Sequence, residues 1–422
     1  MTRGLEGGLK GGLKTALCIL AFAAPAAAQN LVIVNARVVD GKGGVIERGS
    51  VAVRDGKIAS VTAGAPASTA GAQRIDAQGR TLMPGFIDAH RHIVNGDAKE
   101  WLTKTGPVQL QEFLDAGFTT VLCAICPDEA LEMRQRVEAG TVKGPRLLLG
   151  SIIPLARAPV PGGGRGDPAR FDTSRPPLRP TAAAGAIPDA DTLKAVESVA
   201  ARKFDYIKTV ITTTPGGPET RTLKLIVDEG KKRNLPTITH AVSVIDTLAA
   251  VEAGPAVLVH TPHIGQLTDD ETRRIAGAGL PMTSTLQVFV PHFSADNKPL
   301  FRDAQPFPWN TLSSAGQGPV NARLLWEAGI SYGYGTDTTW PPKQSLADEL
   351  RALSLVFSPL DITKIMGQGA ARSTLKQDLV GTLDVGKQAD LVLIDGNPLA
   401  DVTALLRVVT TIKGGRIVSD RR

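Results

Sequence analysis

The sequence predicts an α/β protein: a (β/α)8 TIM-type barrel with a small discontinuous β-sandwich domain built from both chain ends. Three observations predict it. Short apolar strands alternate with amphipathic helical stretches through the middle of the chain, with eight candidate strands, which is the pattern of a parallel barrel. Both ends of the chain are instead β-rich, with tight-turn signals. Polar side chains able to do chemistry stand at the ends of the predicted barrel strands, where such barrels carry their sites.

The chain has 422 residues, 42% hydrophobic and 21% charged, ordinary for a globular protein and enough for a barrel plus a smaller domain. Residues 1–28 have the build of a secretory signal: basic Arg3, Lys10 and Lys14, a short apolar core from Thr15 to Ala24, and small residues up to Ala28 before Gln29. That apolar run is shorter than the roughly 20 residues that cross a bilayer, so the expectation is an exported chain, periplasmic or secreted, with no membrane anchor after cleavage. An uncleaved anchor or a buried helix is the rival reading. The formal net charge is +6, of which the first 28 residues carry +2. The remaining basic residues are scattered, without a polybasic tract, which argues against a nucleic-acid partner.

Residues 29–83 read as the first part of the sandwich. Leu31–Val34 and Ser50–Val53 are strand-like, and Asp55-Gly56 is a turn signal. Residues 84–374 read as the barrel, with strands expected at Phe86–Ile87, Thr119–Leu122, Arg146–Leu149, Tyr206–Lys208, Thr237–Thr239, Val257–Val259, Leu280–Ser284 and Tyr332–Thr336. Helices are expected at Thr222–Arg233 and Val244–Ala253. Residues 375–422 read as the second part of the sandwich, with strands at Asp390–Ile394 and Val408–Ile412 and a hairpin turn at Gly414-Gly415. Two long segments interrupt the alternation, Pro154 to Ala190 and Leu286 to Gly318. Both follow barrel strands, so both are expected as lids on the catalytic face. In the first, Arg157, Arg165, Arg170, Arg175 and Arg179 fit a solvated surface first and contacts to a substrate carboxylate second. Cys123 and Cys126 are the two cysteines left beyond the signal. Packing is the first reading of Cys123, a local disulfide the second and metal ligation the third.

The candidate site follows from strand geometry. His90 and His92 end the first barrel strand two residues apart, so they share a face, and neutral imidazole is the commonest ligand of a catalytic transition metal. Lys208, His240, His260 and Asp337 end four later strands. The chain has six histidines, and four of them fall at these ends, a concentration that a scatter would rarely produce. Each residue has a plainer reading: packed histidines, an ordinary lysine, and a helix N-cap at Asp337. His263, three residues beyond His260, is read as a substrate contact or a surface histidine, and His292, in the second lid, as more incidental than catalytic.

These residues and their order resemble the amidohydrolase superfamily across nearly the whole mature chain, most closely its imidazolonepropionase-like and prolidase-like branch. The motifs are PGFIDAHRH at 84–92, LDAGFTTV at 114–121, GTD at 335–337 and GTLDVGKQADLVLIDGNPL at 381–399. The resemblance implies an enzyme, a metal-dependent hydrolase cutting an amide or peptide-like C–N bond, with prolidase or N-acyl amino acid hydrolase chemistry. It implies two divalent metal ions, zinc by default. His90, His92 and Asp337 would hold one ion and His240 and His260 the other. A CO2-derived carbamate on Lys208 would bridge them, a metal-bridged hydroxide would attack, and Asp337 would be the proton carrier beside His260. Three departures from the branch touch the substrate pocket: Gly150–Pro154 lacks a Gly-Gly-His run, Cys123-Ala124 stands where an Arg-Asp pair is common, and the stretch from Lys208 to His240 is short. One alternative is a one-metal site on His90, His92, His240 and Asp337, acting on cyclic amides or lactones or as a deaminase. Another, of a different class, is a non-catalytic binding protein on the same barrel. The expected partner is a small-molecule amide or peptide, and a homo-oligomer is left open.

Overall fold

The computed structural model describes residues 30–66, 70–157, 182–289 and 314–422. The expected signal at 1–28, His292, and Arg165, Arg170, Arg175 and Arg179 lie outside the described residues. Among the described residues no helix is long and apolar enough to cross a membrane.

Five strands precede the barrel: β1 (Leu31–Val39), β2 (Val45–Arg54), β3 (Lys57–Ala63), β4 (Gln73–Asp76) and β5 (Thr81–Pro84). The chain returns to the same sheet at its other end with β14 (Leu391–Ile394), β15 (Val408–Lys413) and β16 (Arg416–Asp420). Hydrogen bonds join them in the order β16-β15-β14-β5-β1-β2-β3, with β4 also on β1. Asp55-Gly56 and Gly414-Gly415 turn two of its hairpins with positive φ at both residues, the backbone twist that two-residue hairpins favour. The sheet folds back on itself: Ile58 N donates to Lys387 O at 2.9 Å and Ala389 N to Gly56 O at 2.8 Å. Leu31, Ile33, Val51 and Val53 from one end therefore share a core with Leu391, Leu393 and Ile412 from the other.

The middle of the chain forms a nearly closed barrel of eight strands: β6 (Phe86–Arg91), β7 (Phe118–Cys123), β8 (Arg146–Ile152), β9 (Tyr206–Val210), β10 (Thr237–His240), β11 (Val257–Val259), β12 (Met282–Thr283) and β13 (Tyr332–Gly333). Every neighbouring pair is parallel. Hydrogen bonds between β6 and the segment after β13 close the ring, from Ala89 N to Tyr334 O at 3.0 Å and from Asp337 N to His90 O at 2.7 Å. Alternation sorts the side chains. Leu122, Leu148, Tyr206, Ile238, Val257 and Val259 form one apolar cluster, while Leu149, Ile153 and Ile207 belong to the layer packed with the helices.

The helices start where the local chemistry lets them. Val244–Ala253 is capped by Ser243, whose hydroxyl accepts from Asp246 N, and ends at Gly254 in the left-handed conformation. Asp269–Gly277 begins with a reciprocal capping box between Thr268 and Glu271. The strand ends that precede these helices carry His240 and His260.

Candidate metal centre

The residues that end the barrel strands converge. His90 and His92 leave β6 on the same side, with ring centroids 5.7 Å apart. Asp337 arrives from the segment after β13. Its Oδ1 lies 2.7 Å from His92 Nε2 and 3.3 Å from His90 Nε2. The ring of His260 is 5.0 Å from that of His90 and 4.2 Å from that of His240. One ligand atom each from His90, His260 and Asp337 fits within a span of 4.8 Å. Lys208 is 1% exposed. Among the described residues its ammonium nitrogen has no hydrogen-bond partner, and neither does His90 Nδ1. Buried polar atoms are normally paired, so such orphans fit a site built for a group that completes them.

The electrostatics suit a cation. Burial, then the charge of Lys208, hold the His90 imidazole down to about 3, against the pull of Asp337. Burial, then His240, hold His260 well below the usual imidazole range. Both rings are therefore neutral at physiological pH, the form that ligates metals. Burial lowers Lys208 to about 7 despite the opposing attraction of Asp337. Burial alone would raise Asp337, but His90, His92 and His260 hold it well below the usual carboxylate range. Neutral imidazoles, one anionic carboxylate and an amine close to neutrality form a donor set that fits divalent ions of the zinc type.

The backbone bends to deliver these groups. His260, Thr285 and Asp337 all have positive φ, at 79°, 50° and 49°. Non-glycine residues rarely adopt that region, and its strain gathers at functional sites. His260 Nδ1 lies 2.6 Å from Thr285 Oγ1, which sets the direction of the ring.

Residues 81–418 match the Amidohydrolase family. This chain belongs to that family. The imidazolonepropionase of Shouchella clausii is 23% identical over 427 residues, covering 89% of this chain and 86% of that protein. The 5-methylthioadenosine/S-adenosylhomocysteine deaminase of Symbiobacterium thermophilum is 26% identical over 460 residues, covering 92% and 93%. A prolidase solved in complex with N-methylphosphonate-L-proline is 25% identical with a TM-score of 0.71, covering 93% of this chain and 100% of that one. The amidohydrolase is a hydrolytic enzyme acting on carbon–nitrogen bonds, and the proteins it is similar to include imidazolonepropionases and prolidases.

The structure of this amidohydrolase brings His90, His92, Lys208, His240, His260 and Asp337 together at one end of the barrel. It does not leave His263 on the surface: that residue is 5% exposed, and its backbone N–H donates to Val242 O at 2.9 Å. Arg157 is largely exposed, 3.8 Å from Asp191. The first and second readings of Cys123 both hold. Cys123 and Cys126 form a disulfide, because the turn after β7 brings their Cα atoms to 6.1 Å. Both cysteines are also buried, so packing and the cross-link coexist.

Sequence reasoning missed the residues behind the ligands: Asp88, Arg91, Thr285, Gln287, Thr336 and Glu349. Two signals were there. Asp88 is a carboxylate inside an apolar strand, and it is fully buried. Glu349 shares the buried face of the helix Pro342–Leu353 with Ser345, Leu346 and Leu353, at spacings of three and four.

Proposed function

We propose that this amidohydrolase cleaves an amide or peptide-like C–N bond in a small molecule, of the N-acyl amino acid or dipeptide class, at a two-metal centre. His90, His92 and Asp337 would hold one ion, His240 and His260 the other, and Lys208 as a carbamate would bridge them. The observation that carries the reading is the meeting of these donors around a buried amine, lowered to about 7, that has no hydrogen-bond partner among the described residues. A neutral amine is the form that adds CO2, and the carbamate turns a cation that would repel metals into an anionic ligand. Two ions held there would activate a water at neutral pH and polarise the scissile carbonyl. Asp337, anionic and held by His92, takes the proton of the attacking water and passes it to the departing amine. Ile152 supports an apolar acyl group. It is aligned with Lys208 across β8 and β9, so the two side chains share a face, yet it is 45% exposed.

The test is a panel of N-acyl amino acids and dipeptides assayed with and without chelator, beside a metal count. Hydrolysis that depends on about two equivalents per chain, one for each ion of the bridged site, supports the reading. About one equivalent, with cyclic amides, lactones or deamination substrates preferred, supports the one-metal reading on His90, His92, His240 and Asp337. A metal-loaded protein inert towards the whole panel would point to a binding protein.

We further propose that the chain is exported. The three-part pattern of residues 1–28 supports this, as does the Cys123–Cys126 disulfide, a bond that persists in oxidising compartments. A mature N-terminus at Gln29 is the expected result, and an intact Met1 in the folded enzyme would reject it.

A further inference from the structure

We infer that a buried hydrogen-bonded clasp, running from Asp88 and Arg91 through Thr336 and Gln287 to Glu349, is the device that positions Asp337 and His260 for the reaction. The inference rests on the metal-centre reading above and concerns residues that ligate nothing.

The clasp begins on β6, between and beside the two histidines. Arg91 is fully buried and lies over the Phe113 ring, 5.1 Å from its centroid. It donates to Thr336 Oγ1 at 2.9 Å and to the carbonyl of Trp340. Thr336 Oγ1 then donates its proton to Asp88 Oδ2 at 2.7 Å, and Thr336 N donates to Asp88 Oδ1 at 3.2 Å. A hydroxyl has one proton to give, so accepting from Arg91 and donating to Asp88 fixes its direction. Residues 336–340 are thereby tied to β6 on both sides of Asp337. Asp337 is the strained residue of that segment, and β6 carries the two histidines against which its carboxylate rests.

The second half holds His260. Gln287 Nε2 donates to Thr336 O at 2.9 Å, which joins the segment after β12 to the segment after β13. Glu349 accepts from Leu286 N at 3.1 Å and from Gln287 N at 2.8 Å. These bonds pin the backbone immediately after Thr285, the strained residue whose hydroxyl meets His260 Nδ1. Each half therefore grips the chain next to a left-handed residue that the local sequence would not hold by itself, and Gln287 makes the two halves one unit. A network that served stability alone would have no need to end on the neighbours of two candidate ligands coming from different strands.

The test compares Thr336→Val and Gln287→Leu with two controls. Thr336→Ser keeps the hydroxyl. Arg146→Met breaks a semi-buried ion pair with Asp390 (2.9 Å) at the start of β8, the opposite end of the barrel. The readouts are kcat and KM on a substrate that the wild type cleaves, zinc affinity by chelator competition, and the imidazole nitrogen resonances of His92 and His260 in the metal-free protein. Thr336→Val and Gln287→Leu should keep KM within about twofold and lose kcat by roughly 10- to 100-fold, the scale set by small misplacements of reacting groups. Their zinc affinity should fall, their imidazole resonances should move, and Thr336→Ser should recover most of the loss. Arg146→Met should lower the melting temperature and leave kcat and the resonances alone. The clasp is overturned if the two variants keep wild-type kcat and resonances, or if Arg146→Met matches their losses. If the wild type takes up no metal, the metal reading fails, and the resonances in the metal-free protein still decide the clasp. Gln287→Leu decides it should Thr336→Val not fold.

Discussion

Glu349→Gln should change the pH dependence of stability in a way that can be worked out in advance. Glu349 is fully buried, and burial raises its carboxyl from 4.5 to about 7, against the pull of Ser284 and the two backbone N–H groups it accepts from. A carboxyl whose folded value lies above its unfolded value binds its proton more tightly when folded. Below pH 4.5 both states are protonated and the group is neutral towards folding. As pH rises through the interval to 7 the unfolded chain releases the proton first, so folding loses stability, and above 7 the loss levels off. At about 1.36 kcal/mol per pH unit the full swing is roughly 3 kcal/mol. The glutamine cannot titrate, so this swing should be missing from the variant. The amide also brings a fixed, pH-independent cost, since it replaces one of two acceptor oxygens, and subtraction removes it. The assay is urea unfolding of metal-free wild type and variant at pH 4.5 and pH 8. The difference between the two proteins should move in favour of the variant by about 3 kcal/mol between those pH values. A difference that stays constant to within about 0.5 kcal/mol, the ordinary scatter of such comparisons, would show that Glu349 is ionised throughout and that the burial argument is wrong.

Other outcomes are expected from the site itself. Lys208→Ala should lose activity by roughly 100-fold or more, as expected when a group completing the electrostatic machinery is removed, and should regain part of it in short carboxylic acids; normal hydrolysis by the variant would reject the bridging role. Chelation should abolish hydrolysis and lower the melting temperature together, because an ion that binds only the folded state stabilises it by mass action; an unchanged melting curve after verified metal loss would contradict the buried donor set. Ile152→Asp should reduce kcat/KM for long acyl chains more than for acetyl, by up to about tenfold per buried methylene pair, and equal losses across the acyl series would remove Ile152 from the pocket.

Particular residues show how far the sequence carries. The strand Val257–Val259 and the helix Val244–Ala253 sit where the apolar spacing puts them, because both patterns are local. The strand expected at Leu280–Ser284 is only Met282–Thr283, and the one at Tyr332–Thr336 only Tyr332–Gly333. Their missing ends leave the ladder to deliver Thr285 and Asp337 in the left-handed conformation, and no local propensity announces that. Cys123 reads as a core residue from its apolar strand. Its bond to Cys126 depends on how the following turn closes, a matter of three-dimensional geometry.

The sequence by itself determined the barrel, the return of both chain ends to one sheet, and the identity of the six groups at the strand ends. Hydrophobic period and turn chemistry act over a few residues and can be read one stretch at a time. Only the tertiary structure decided how those groups face one another and what holds them. Asp88, Arg91, Gln287, Thr336 and Glu349 look like ordinary polar residues along the chain. They take on a role only when barrel closure brings β6 against residues 334–340 and the helix Pro342–Leu353 against residues 284–287. Burial then removes the water that would otherwise satisfy their hydrogen bonds, so each polar group must find its partner in a distant part of the polypeptide.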